Sequence, residues 1–146
     1  MTPPAGCATL RRVGSKGRGH RALTIAGFEV LIGKGDRDND ALTFGVGQPL
    51  DLWLHVAGAP GSHVIVRNPD KLDELPREVV TRAAELAAYH SKARAARGKL
   101  DVHVCRVCDV RKRRGAPAGE VQLKRWDTLR VYARGDEDEA ASAKPE

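Results

Sequence analysis

Aromatic residues make up only 4% of this 146-residue chain, two each of Trp, Tyr and Phe. A core must then be built from Val, Leu, Ile and Ala, and the length suffices for one such core with tails, not for two. Long apolar runs are missing: no stretch approaches the roughly 18 uninterrupted apolar residues that cross a bilayer, and an N-terminal apolar h-region is lacking. The expectation is a soluble cytoplasmic protein with no membrane partner. Cysteine is scarce and odd in number, at Cys7, Cys105 and Cys108, which excludes a disulfide framework. Cys105 and Cys108 form a CxxC, but zinc needs a second ligand pair, and on a strand these two thiols point to opposite faces. Neither a metal nor a cofactor is expected.

What is abundant is unevenly placed positive charge, +6 in total. Residues 1–21 carry Arg11, Arg12, Lys16, Arg18 and Arg21 and no acid, whereas 135–146 carry Asp136, Glu137, Asp138, Glu139 and Glu146 against Lys144. Residues 92–114 hold nine basic groups against Asp101 and Asp109. Clustered cations suit a polyanion, because neutralised phosphates release counterions and drive sequence-independent binding. A merely soluble basic surface has the same composition.

The chain divides into three parts. Residues 1–20, rich in Gly, Pro and basic groups, are too poor in apolar content to offset ordering entropy and read as a mobile basic arm; 135–146 read as a disordered acidic tail. Between them, 21–134 read as one α+β domain, a mainly antiparallel sheet packed against one long helix, plus one short helix. Residues 22–25 and 28–32 flank Ala26-Gly27 as a hairpin. Asn39 or Asp38 is placed to cap a short helix over 40–45. Residues 51–56 and 63–67 are strands joined by AGAPGS, with Leu52, Leu54 and Val56 on one face and Trp53 and His55 on the other. Pro76 starts the long helix, which Gly98 stops near Arg97. Its stripe Val79, Val80, Ala83, Ala84, Leu86 and Ala87 runs on into His90, Ser91 and Arg94. Strands over 102–110, 120–123 and 129–132 complete the set.

Several constellations carry chemistry. The loop GKGDRDND offers backbone amides, Lys34 and Arg37 to a phosphate ahead of a helix start, but lacks the lysine-serine ending of a P-loop. Its Asp36, Asp38 and Asp40 do not complete a calcium loop, since the sixth position is Ala41 and the twelfth Gly47. A capped turn entering a helix explains the same residues. His55 and His63 titrate near neutrality and are candidates for acid and base, or for hydrogen-bonded structural groups. Trp53 is either a stacking platform or core. Arg67 and Arg94, placed on inward faces, need carboxylates such as Asp40 or Asp51, or a phosphate.

Taken in order, GFEVLIGK at 27–34, Asn39-Asp40 with Leu42-Thr43-Phe44, Asp51-Leu52-Trp53 with His55, and Pro60-Gly61-Ser62-His63-Val64 with Arg67 resemble the NFACT-R domain. This is the RNA-binding module found near the C-terminal end of the NFACT proteins of ribosome-associated quality control and in a stand-alone bacterial form. Tyr89, Ser91, Lys92, Ala93 and Arg94 are similar to the family's helix-end motif, and Gly115, Gly119, Val121, Thr128 and Leu129 to its closing strands. Two positions depart: Lys34-Gly35 stands where the family usually has arginine and asparagine, and Arg113 where it often has proline. The first exchange keeps the charge but loses the planar guanidinium fork.

The resemblance implies binding of structured RNA, transfer or ribosomal, with the large ribosomal subunit as a partner, in ribosome quality control or an RNA-modification pathway. The expected contacts are Lys34, Arg37, Asn39 and Asp40 in the 33–40 loop; Trp53, His55, His63 and Arg67 on the paired strands; Ser91, Lys92 and Arg94 at the helix end; and Arg111, Lys112, Arg113 and Arg114 in the basic loop. No residue is assigned a catalytic role. An RNA-processing or RNA-modifying enzyme using His55 and His63, and a protein-binding adaptor docking by its helix, are the alternatives. Oligomeric state is not legible.

Overall fold

The computed structural model describes residues 20–95 and 97–135. Apart from their boundary residues, the expected basic arm and acidic tail lie outside the described residues.

Strands β1 (His20–Ile25) and β2 (Phe28–Gly33) form the expected hairpin. Ala26 and Gly27 both have positive φ, 49° and 88°, the turn whose twist matches the strands it joins. Strand β3 (Leu52–Val56) lies between β4 (Val64–Val66) and β5 (Leu100–Arg106), and β8 (Asp127–Val131) closes the far edge. The six-stranded order is β1-β2-β4-β3-β5-β8, every pair antiparallel. A separate two-stranded ribbon pairs β6 (Val110–Arg111) with β7 (Gln122–Leu123).

Strand alternation divides the apolar residues into two cores. Val30, Ile32, Leu52, Leu54, Val64 and Val66 pack with Val79, Ala83, Leu86 and Ala87 of helix α2 (Arg77–Tyr89). Leu31, Trp53, Ile65 and Cys105 face the other way and pack with Leu42, Val107 and Val110. That side is covered by the ribbon and by α1 (Asp36–Asp40), which runs into a π-type turn over Ala41–Val46.

Both helices differ from expectation at their ends. Helix α2 stops at Tyr89, not near Arg97, because the chain leaving it pairs with the loop between β3 and β4. Ser62 N–H donates to His90 O (2.9 Å), Lys92 N–H to Pro60 O (2.8 Å), and Gly61 bridges Ser91. A Cβ on Gly61 would lie 2.8 Å from Ser91 Cβ, so only glycine permits this approach. The first helix begins at Asp36 behind Gly35 without a side-chain cap. Asn39 does not cap it, since its amide is used elsewhere. The strand expected over 102–110 breaks after Arg106 into a 3₁₀ turn (Val107–Asp109), which leaves Cys105 buried and Cys108 exposed.

Candidate nucleic-acid interface

The loop after β2 and the end of α2 meet over the 60–62 segment and enclose a cleft of about 450 Å³. Arg21 from β1, Lys34 after β2, and Lys92 and Arg94 beyond α2 all line it, together with Tyr89, Ser91 and the acidic Asp36. Four expected contacts, Lys34, Ser91, Lys92 and Arg94, are thus brought together. Arg94 is not on an inward helix face: it lies past the helix end, its guanidinium carbon 4.7 Å from the Tyr89 ring centre, a cation–π contact that orients the charge. Ser91 Oγ donates to Ala88 O (2.7 Å) and accepts from Ala93 N–H (3.2 Å), which closes the last turn and presents Lys92.

Asn39 and His63, expected as contacts, are buried at 2% and 1% exposure and hold the wall of this cleft from behind. Asn39 Nδ2 donates to Gly61 O (3.1 Å), and its Oδ1 accepts from His63 N–H (3.0 Å). Thr43 Oγ1, carried by the π-type turn, lies 2.8 Å from His63 Nδ1. Turns of this kind recur at functional sites, where they reposition a side chain. Burial, reinforced by the nearby His55, pushes the His63 pKa down to about 3, against an opposing pull from Asp40. The imidazole is therefore neutral at physiological pH.

Trp53 is 2% exposed, stacked on His55 at 5.9 Å and edge-on to His63 at 5.0 Å between centroids. It is a core residue, a correction to the expected stacking role, because its strand parity turns it under the ribbon. His55 is half-buried, and burial lowers its pKa. Arg67 finds the expected partner: its Nε lies 2.8 Å from Asp51 Oδ2. Asp51 also accepts from Gln48 N–H (2.9 Å) and Asn68 N–H (2.7 Å), so this charge is neutralised inside the fold.

The basic loop is divided. Lys112 Nζ reaches Asp40 Oδ2 (2.9 Å), Pro117 O (2.5 Å) and Glu120 O (3.0 Å). Arg113 pairs with Glu120 at 3.5 Å. Arg111 and Arg114 are exposed. Arg37 is exposed on α1, and lines neither the basic cleft nor the ribbon-side cleft of about 620 Å³ beneath Gly119–Leu123.

Arg21 is the cation of the basic cleft that motif reading missed; the β1–β2 register, Arg21 with Ile32 and His20 with Gly33, brings it to the strand end that Lys34 follows. In the ribbon-side cleft His103 and Trp126 join His55. The run Lys124-Arg125-Trp126, an aromatic beside two cations, was the available signal.

The model of the NFACT protein RNA binding domain matches residues 20–125. The chain is 40% identical over 107 residues to the Rqc2 homolog RqcH of Streptococcus suis, covering 73% of this chain and 19% of that protein. It is 34% identical over 113 residues to the Rqc2 homolog RqcH of Bacillus subtilis, 77% of this chain and 19% of the relative. The solved structure of the C-terminal part of the fibronectin/fibrinogen-binding protein from Streptococcus suis superposes with a TM-score of 0.75 at 33% identity, over 89% of this chain and 51% of that one. The chain thus spans about a fifth of the length of these curated relatives, 19% in each. With the motifs in order on the fold just described, the chain belongs to the NFACT-R family, the RNA-binding domain of NFACT proteins.

Proposed function

We propose that the domain binds structured RNA, transfer or ribosomal, on the large ribosomal subunit, and acts in ribosome quality control or an RNA-modification pathway. One observation carries this reading: Arg21, Lys34, Lys92 and Arg94, drawn from three separate parts of the chain, line a single cleft. Such convergence serves a polyanion, whose phosphates replace the solvent around the cations and release counterions. The exposed Arg111 and Arg114 extend the positive surface along the ribbon. His63 is 1% exposed with Nδ1 2.8 Å from Thr43 Oγ1, a geometry that suits support of the cleft wall.

The test is fluorescence anisotropy of labelled transfer RNA and of large-subunit ribosomal RNA fragments at several salt concentrations. Replacing Lys92 and Arg94 by glutamine is expected to weaken binding and to lower the salt slope by about one unit for each phosphate no longer neutralised. An unchanged affinity and slope would remove the cleft from the interface.

A further inference from the structure

The ribbon-side cleft of about 620 Å³ falls within the ~300–1,000 Å³ range of ligand clefts, and no charge reading accounts for it. Its floor is a row of rings. Trp53 stacks on His55 at 5.9 Å, His55 faces His103 across the β3–β5 pairing, and His103 lies 5.4 Å from Trp126. The outermost ring, Trp126, is 48% exposed, so half of the largest apolar side chain type is left in water although the sheet beside it is well packed. An indole in that state keeps part of its ring surface open to a ligand. Above the floor stands the β6–β7 ribbon, whose Gly119, Glu120 and Gln122 line the same cleft.

The charged residue that lines the cleft is Glu120. Cations adjoin the lining in the chain and across the ribbon: the exposed Lys124 and Arg125 stand between Leu123 and Trp126, with Arg125 lining a neighbouring cleft, and the exposed Arg111 pairs with Gln122. Glu120 is paired with Arg113 at 3.5 Å, both side chains half-exposed, so its repulsion for a phosphate is only partly offset. A half-exposed indole at the edge of a row of rings, with cations next to it in the chain, suits a single unstacked base: the ring supplies stacking and the neighbouring cations take the flanking phosphates. An acidic peptide would use the cations, but its amides and carboxylates offer Trp126 much less π-surface than a base does, and the ring therefore favours the nucleic acid.

We propose that this cleft receives one unpaired nucleobase of the bound RNA, stacked on Trp126, with His103 and the ribbon edge beside it. The inference rests on the RNA reading above and adds a second, base-contacting site that shares no lining residue with the basic cleft.

Stacking and phosphate contact separate by salt dependence, since only the latter releases counterions. The probes are oligoadenylate, which is single-stranded, and unfractionated transfer RNA, with the wild type, Trp126→Ala and Trp126→Phe compared by anisotropy across salt. Trp126→Ala is expected to bind oligoadenylate roughly 5- to 150-fold more weakly, the range for loss of one stacked base, with the salt slope unchanged. Trp126→Phe should recover most of the affinity. Oligoadenylate should quench tryptophan fluorescence in the wild type and not in Trp126→Phe, where only the buried Trp53 remains. Equal affinity of Trp126→Ala and wild type, or a loss accompanied by a lowered slope, would overturn the base site. A wild type that binds neither probe would instead overturn the RNA reading itself, so the two failures are distinguishable.

Discussion

Lys112 and Asp40 are joined across the fold, Nζ to Oδ2 at 2.9 Å, and the same lysine is tied to Pro117 O and Glu120 O at 2.5 and 3.0 Å. Asp40 Oδ1 also accepts from Gly119 N–H at 3.1 Å. These bonds hold the ribbon against α1, so Lys112 serves as a staple and Arg111 and Arg114 remain for the solvent side.

The basic loop therefore splits by experiment. Lys112→Gln is expected to lower the unfolding free energy by about 1 kcal/mol, read as a lower urea midpoint, for a partly buried pair with its added hydrogen bonds. Arg111→Gln with Arg114→Gln should leave the midpoint alone and reduce the salt slope of RNA binding by about one unit for each phosphate these arginines neutralise. Chemical denaturation and anisotropy on both variants check this. Equal stability of Lys112→Gln and wild type would return that lysine to the candidate contacts.

Asn39→Ala removes one side chain from a buried and a part-buried bond and leaves His63 N–H and Gly61 O without that partner. Each unsatisfied buried group costs about 1–3 kcal/mol, so a loss of about 2–4 kcal/mol is expected. Because Gly61 belongs to the cleft wall, RNA affinity should fall as well, without a change in salt slope. Circular dichroism melts and anisotropy measure both. A wild-type midpoint would show that the bracket is dispensable.

What the sequence made legible, and what it did not, follows from the range of the forces involved. The parity of β3, Leu52 and Leu54 against Trp53, is a nearest-neighbour property and predicts which core each side chain joins. So does the α2 stripe from Val79 to Ala87. The end of α2 is different: it is set by Ser62 N–H reaching His90 O (2.9 Å), a contact no local pattern contains. Asn39 looked like a helix cap for the same reason, since its true partners lie 22 and 24 residues on. The clefts follow the same rule. Lys92 and Arg94 were legible as a basic cluster and Arg67 as a charge needing a carboxylate such as Asp40 or Asp51, or a phosphate, but the meeting of Arg21 with Lys92 depends on the sheet order.

The turn at Ala26 offers a stabilising change. Its φ of 49° places a Cβ in the left-handed region, at roughly 1–2 kcal/mol for an ordinary residue. Asparagine and glycine tolerate that region better, and asparagine followed by glycine is the preferred pair for this turn. Ala26→Asn is expected to raise stability by about 0.5–1 kcal/mol, read as a higher melting temperature, with RNA binding unaltered. A lower melting temperature would mean that Ala26 makes contacts worth more than the strain.

His63 supplies a pH dependence whose direction is fixed by its environment. Burial, then His55, lowers its pKa from 6.5 to about 3 in the folded protein, with Asp40 opposing and Lys112 assisting; burial lowers His55 too, with His103 adding to it. As pH falls below about 6.5 the unfolded chain takes up protons that the folded chain refuses, and stability rises with pH wherever the unfolded state binds more protons. The stabilisation is thus complete above the unfolded value and is lost as pH falls toward the folded one. Each depressed histidine contributes a slope approaching ~1.4 kcal/mol per pH unit. The window from about pH 6 to 5 lies above most carboxylate titration, so the histidines dominate there. Urea unfolding at steps through that window should show stability falling with acid, and His63→Asn, whatever its own stability, should remove about one histidine's share of the slope. A slope identical in the variant would show that His63 is protonated in the folded protein and is not sealed against the solvent.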